Sequence, residues 1–238
     1  ELLEITPCPP DILFASETYG HKLSEVLGAR FIPVDPDRSI MPISGTAVRE
    51  NPYDHWDLIP PNVRTHYLKR ICVFGPESTG KSTLTSDLAQ HFKTRGVPEY
   101  ARTYLEQLGN ELQIEKLLDI ARGQCASEDA IAPSANKLLI TDTDALLTTV
   151  WSQFLYQQCD PQLEELAKSR DSDLYLLTDV DVPWVEDPVR YLPSDRSNFH
   201  ALCETTLKEN GKDFVKLSGS WEKRFKTAVE AIEALFKK

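Results

Sequence analysis

Gly75-Pro76-Glu77-Ser78-Thr79-Gly80-Lys81-Ser82 is the stretch whose reading decides the fold. It satisfies G-x-x-x-x-G-K-[S/T]. The apolar run Ile71-Cys72-Val73-Phe74 precedes it and a helical pattern begins near Gly80. A strand, a glycine-rich turn and a helix start, in that order, make a phosphate-binding loop. The glycines let backbone N–H groups converge on an anion, and the helix N-terminus adds its dipole. Gly75 through Thr83 are therefore the expected cradle for ATP phosphates. Lys81 is placed to reach the outer phosphates, and the Ser82 hydroxyl suits a phosphate-bound Mg²⁺.

Outward from this loop, the chain alternates strand-like and helix-like patterns. Apolar strand candidates lie at 71–74, 138–141, 173–178 and 213–217, with a shorter one near 97–100. Helical patterns lie at 81–95, 103–131 with interruptions, 145–157 and 197–209. A last helix over 221–236 puts Trp221, Phe225, Ala228, Val229, Ile232 and Phe236 on one apolar face, which predicts a core role for them. Such alternation predicts an α/β fold with a mainly parallel sheet covered on both faces. Ligands then gather beyond the C-terminal ends of the strands.

Residues 1–66 follow a different pattern. Two short apolar runs, Ile12-Leu13-Phe14-Ala15 and Arg30-Phe31-Ile32-Pro33-Val34, flank a helical stretch at 21–27. The segment is too thin for a self-contained domain. In Ile43-Ser44-Gly45-Thr46-Ala47-Val48-Arg49, Ser44 or Thr46 is placed to cap a helix, with Arg49 on its first turns. The same arrangement serves a phosphate site or an ordinary capped helix. Asp57 through Arg64, with Pro60-Pro61, reads as a turn into a joining helix or linker. The expected boundary therefore falls between 66 and 67, with 67–238 as the second domain.

Composition narrows the class. The 238 residues carry a net charge of -11, which disfavours a large duplex-binding surface, and no DNA-binding motif spacing is visible. The five cysteines are scattered without a C-x-x-C, so a disulfide framework or metal knuckle has no support and a reduced, cytoplasmic setting fits. No membrane-length apolar run or secretory leader is present. The chain begins at Glu1, not Met, so an upstream portion is expected.

Several polar clusters follow the strands. Leu138-Leu139-Ile140-Thr141-Asp142-Thr143-Asp144 ends in two acids. Asp142 is placed to organise Mg²⁺ beside the loop, and Asp144 to meet metal, water or an acceptor hydroxyl. Either acid serves equally as a cap. Thr178-Asp179-Val180-Asp181-Val182-Pro183-Trp184 leads to Arg190 and Arg196, which are candidates to close over the transferred phosphate. Trp184 offers a ring face to a planar ligand. Glu99-Tyr100-Ala101-Arg102 supplies a carboxylate for an acceptor hydroxyl and a guanidinium for phosphate. The turn Leu217-Ser218-Gly219-Ser220-Trp221 borders an adenine site or simply caps the last helix. No guanine-reading N-K-x-D occurs, since Asn136-Lys137 is followed by Leu138-Leu139. A compact small-molecule kinase is the class these features favour.

The phosphate loop, Glu99-Tyr100-Ala101-Arg102, Asp142-Thr143-Asp144, Thr148-Thr149 and Asp181-Val182-Pro183-Trp184 together resemble the kinase segments of the bacterial NadR family. That family joins nicotinamide-mononucleotide adenylyltransferase to ribosylnicotinamide kinase, and the resemblance covers nearly all residues. It implies a complete P-loop kinase region preceded by the C-terminal part of a Rossmann-like nucleotidyltransferase. It also implies ATP and Mg²⁺ as cofactors and the 5′-hydroxyl of nicotinamide riboside as acceptor. Lys81, Asp142, Arg190 and Arg196 would act in transfer, with Ser82 and Asp142 at the metal. Glu99, Tyr100, Arg102, Asp142, Asp144 and Trp184 would bind substrate, with Tyr100 or Trp184 stacking on nicotinamide.

Ser44, Thr46, Arg49 and Trp56 resemble the end of the adenylyltransferase, where the serine–threonine–arginine turn meets ATP phosphates. Its upstream paired-histidine sequence is absent, so adenylyl transfer, with nicotinamide mononucleotide or NAD bound, is implied for the intact parent only. Longer family members carry a DNA-binding module that this sequence lacks. Glu186-Asp187-Pro188 departs from the family's aspartate–glycine turn at the expected lid. A kinase for another nucleoside or small alcohol, and a nucleotide-sensing regulatory module, are the alternatives. Homo-oligomerisation stays open.

Overall fold

The structure, a computed structural model, describes residues 8–108, 112–187, 190, 192 and 194–237. Pro188, the centre of the expected lid turn, lies outside the described residues. The chain divides into two compact units, Glu1–Ile59 and Pro60–Lys238. The division falls ahead of the 66/67 boundary because α3 (Pro61–Tyr67) packs on the short 3₁₀ turn Ala132–Ser134 of the larger unit.

In the smaller unit, β1 (Ile12–Ala15) and β2 (Arg30–Pro33) pair in parallel and α1 (Tyr19–Leu27) connects them. Gly20 lies so close to Phe31 that an added Cβ would come within 2.3 Å of its ring. α2 (Gly45–Glu50) is capped by Ser44, whose hydroxyl accepts from Ala47 N–H at 3.0 Å.

The larger unit is built on β3 (Lys69–Phe74), α4 (Lys81–His91), β4 (Arg95–Val97), α5 (Tyr100–Leu108) and α6 (Ile114–Ile131). It continues with β5 (Leu138–Asp142), α7 (Ala145–Tyr156), α8 (Pro161–Ser169), β6 (Leu174–Thr178), α9 (Arg196–Glu209), β7 (Phe214–Leu217) and α10 (Trp221–Ala234). The five strands are parallel in the order β4-β5-β3-β6-β7. β3 is central. Its period-2 alternation sends Cys72 and Phe74 into a core with α6, α7, α8 and α9, and Ile71 and Val73 into a second core with α4 and α10. Burying each Leu or Ile in these layers is worth about 1.5–3 kcal/mol.

Three details differ from the sequence reading. β4 ends at Val97, which leaves Glu99 on the turn into α5. The pattern at 103–131 is two helices. α8 was not expected; Asp160 caps it by accepting from Gln162 N–H at 2.7 Å, and Pro161 occupies its first position, where no N–H is needed. A fourth difference concerns function. Trp221, assigned to the core, is 53% exposed, whereas Arg224 on the same helix is 1% exposed. Among the described residues, no helix is long and apolar enough to cross a membrane.

Candidate functional site

Every strand of the parallel sheet ends on the same side, and the polar turns collect there. The β3–α4 loop wraps tightly. Gly75 has φ +134°, and a Cβ there would lie 2.6 Å from Thr178 Oγ1. Gly80 has φ +83°, and a Cβ there would strike the Trp221 ring at 2.3 Å. Both positions therefore require glycine, for backbone conformation and for space. Thr79 Oγ1 donates to Pro76 O at 2.8 Å and lies 2.7 Å from Thr178 Oγ1, which fixes the loop to β6. Lys81 is buried, and its Nζ donates to Pro76 O at 2.9 Å. Ser82 and Thr83 are exposed at the helix start.

Asp142, at the end of β5, is 2% exposed. Its Oδ1 is buried with no hydrogen-bond partner. Burial pushes its pKa up, and Lys81 and the neighbouring Ser82 hydroxyl pull against that. A hydroxyl beside an unsatisfied carboxylate oxygen suits a hard divalent cation carried on phosphate. Among the described residues, no group of three or more His, Cys, Asp or Glu forms a protein-only metal cage.

Glu99 faces both loop and cleft. It retains some exposed surface but is densely surrounded by protein, and this desolvation raises its carboxyl to about 7. Lys81 opposes the shift, Asp142 adds to it and Arg102 opposes it. Arg102 forms a fork on Asp187, at 3.0 Å to Oδ2 and 3.4 Å to Oδ1. This ties α5 to the segment after β6.

That segment lies over the loop. Val185 N–H donates to Ser78 Oγ at 2.8 Å, Arg190 Nη1 lies 3.4 Å from the same oxygen, and Arg196 Nη1 donates to Ser78 O at 3.2 Å. Leu192 N–H donates to Glu77 Oε2 at 3.1 Å. The two guanidinium carbons lie 5.9 Å (Arg190) and 5.6 Å (Arg196) from the Trp184 ring centroid. The structure thus brings together the loop, Lys81, Ser82, Asp142, Glu99, Arg102, Arg190 and Arg196.

A narrow cleft opens beside them. Its polar wall includes Glu77, Glu99, Arg102 and Gln124, and its apolar wall includes Leu147 and Trp151. A largely apolar wall with a few convergent polar groups is the lining of a small-molecule site. Two expected substrate contacts do not line it. Tyr100 packs over Gly123, where a Cβ would fall 2.0 Å from its ring, and Trp184 is held by the two arginines. The aromatic face in the cleft is Trp151, which packs on Phe199 at 4.3 Å between centroids.

Asp144 does not line the cleft either. One oxygen accepts from Leu147 N–H at 3.0 Å as the cap of α7, and the other accepts from Tyr175 OH at 2.9 Å. Both oxygens are thus engaged within the fold. Gln124 was not anticipated. It is 2% exposed, accepts from Tyr100 N–H at 2.9 Å and donates to Thr143 O at 3.3 Å, so it pins the two strand ends that carry Glu99 and Asp142. In the smaller unit, Thr46 Oγ1 accepts from Arg49 Nη2 at 3.1 Å, one residue beyond the Ser44–Gly45 helix start.

Residues 70–224 match the family model AAA_28, described as an AAA domain. The trifunctional NAD biosynthesis/regulator protein NadR of Escherichia coli (strain K12) is 34% identical over 234 residues, which is 95% of this chain and 57% of that protein. The Salmonella typhimurium protein of the same name matches to the same extent. The chain thus spans little more than half the length of the curated relatives it matches. A crystal structure of NadR protein in complex with NAD and AMP-PNP superposes with a TM-score of 0.75 at 26% identity, over 95% of this chain and 67% of that one. Another, of NadR protein in complex with NR, gives 0.76 at 24% identity over 100% and 72%, a likeness of fold.

Proposed function

The chain belongs to the AAA-domain family matched over residues 70–224, and from that premise we propose that its larger unit is a small-molecule kinase. It moves the terminal phosphoryl group of ATP to the 5′-hydroxyl of nicotinamide riboside, giving nicotinamide mononucleotide. The observation that carries this reading is a shared wall. Glu77 of the phosphate loop and Glu99 beside Lys81 both line the cleft, so a molecule seated there lies next to the anion cradle. The AMP-PNP held by the related NadR protein, together with the curated relatives' role in NAD biosynthesis, supports the nucleotide and the acceptor class.

Phosphoryl transfer needs alignment and charge neutralisation more than covalent chemistry. Loop amides and Lys81 hold the phosphates. Ser82 and Asp142 would hold Mg²⁺, which supplies positive charge across the outer phosphates when bound. Arg190 and Arg196 lie over Ser78, positioned to neutralise the migrating group, while the overlying segment keeps water out. Glu99 accepts the proton of the acceptor hydroxyl. A carboxylate poised near 7 is a competent base at neutral pH. Trp151 offers its face to the nicotinamide ring, and Trp221, above Gly80, offers one to adenine.

The smaller unit's Ser44, Thr46 and Arg49 belong, in this reading, to an ATP site completed in a longer parent, where nicotinamide mononucleotide is adenylylated to NAD. A cytoplasmic setting accompanies it. The test is incubation with ATP, Mg²⁺ and a panel of nucleosides, with products identified by mass. Phosphorylated nicotinamide riboside is expected. Efficient transfer to another nucleoside with none to nicotinamide riboside overturns the acceptor, and nucleotide binding with no phosphorylated product favours a sensing module.

A further inference from the structure

We propose that Arg224 is a positioning residue for the phosphate loop, its guanidinium fork fixing the Thr79–Gly80 peptide in the orientation that receives a nucleotide's phosphates. Arg224 is the largest fully buried side chain of the described residues. A buried guanidinium is tolerated only when its donors are matched. Here Nε donates to Gly219 O, Nη1 to Thr79 O and Nη2 to Asp179 O, each at 3.1 Å, and Nη2 also pairs with the Asp181 carboxylate. Asp181 in turn accepts from Gly219 N–H at 2.6 Å. One side chain of α10 therefore ties together three separate turns: the phosphate loop, the turn after β6 and the turn after β7.

The consequence for nucleotide binding follows from peptide planarity. Thr79 C=O and Gly80 N–H belong to one planar trans peptide and point in opposite directions. Holding the carbonyl inward on Arg224 turns the Gly80 N–H outward, toward the anion. The adjoining Gly80 lies in the left-handed region at φ +83°, a conformation a free glycine would leave readily. Trp221 closes the other side. Its ring lies 5.4 Å from the Arg224 guanidinium carbon and covers Gly80. A lysine could keep the charge at this site but not the fork that reaches three carbonyls.

The inference rests on the phosphate loop holding nucleotide, as proposed above, and does not depend on the acceptor's identity. The test is calorimetric titration of the full chain with AMP-PNP and Mg²⁺, and separately with nicotinamide riboside. It compares wild type with Arg224→Lys and with the double substitution Arg224→Met plus Asp181→Asn, which leaves no buried charge unpaired. The expected result is a folded variant with unchanged acceptor binding and AMP-PNP affinity weaker by about tenfold or more. Three results overturn the proposal. These are wild-type AMP-PNP affinity in a folded variant, parallel loss of both ligands, and failure of both variants to fold, which would make Arg224 a stability residue only. Wild type that binds AMP-PNP but transfers nothing to nicotinamide riboside would sink the kinase reading and leave this one standing.

Discussion

The phosphate loop and the cleft beside it share Glu77 as a boundary, yet they are built in opposite ways. The loop is contiguous. Its shape is imposed by two glycines that no other residue could replace and by the Thr79 and Lys81 bonds to Pro76 O, with Thr178 and Arg224 holding it from outside. The cleft is assembled from α5, α6 and α7, and it depends on long-range clamps such as Gln124 between two strand ends. The contrast shows how one fold separates tasks. Phosphate chemistry is the same for every acceptor and can be fixed in one segment, whereas the proposed acceptor site draws on side chains scattered along the chain.

Substitutions on the two sides should therefore fail differently. On the loop side, Lys81→Ala removes the buried cation proposed to meet the outer phosphates. Turnover should fall about a thousandfold with an unchanged melting temperature, and an undiminished kcat would break the assignment. At the boundary, Glu99→Gln removes the proposed base and should cost about a hundredfold in kcat/KM. Because the base works only when deprotonated, wild-type kcat/KM should rise as pH increases through about 7, and the glutamine variant should lose that rise. A retained inflection would assign it to another group.

On the cleft side, Trp151→Ala should raise the acceptor KM by about tenfold while leaving the ATP KM unchanged. Equal effects on both would dissolve the distinction between the two regions. The smallest effect concerns stability. Burial, with Asp144 nearby, raises Glu128 from 4.5 to about 7. The folded state therefore holds this proton more tightly than the unfolded chain. That contribution is complete below pH 4.5 and is lost as pH rises through about 7. Glu128→Gln should match wild type in denaturant melts at pH 4 and exceed it at pH 8.

The same contrast explains what could be read from the sequence. The loop, the central strands and the parallel architecture were legible because each is a local pattern: glycine spacing, apolar runs, alternation with helices. The position of Asp142 at a strand end was legible in the same way. Asp144 has the same local signature, and only Tyr175, from a different strand, reveals that its oxygens are taken. Trp151 was hidden inside an apolar helix, where an aromatic reads as core. α10 inverted the usual rule. Periodicity placed Trp221 inside and left Arg224 unremarked, because no spacing rule reports that three carbonyls and Asp181 wait to receive a guanidinium. Such residues are selected by tertiary contacts, and a single sequence carries no record of them.

The most direct test of the central claim is a crystal structure with AMP-PNP, Mg²⁺ and nicotinamide riboside bound together. The account predicts the 5′-oxygen about 3–3.5 Å from the terminal phosphorus, within hydrogen-bond reach of Glu99, with the nicotinamide ring on Trp151. An acceptor bound elsewhere, with its hydroxyl walled off from the phosphate loop, would contradict it.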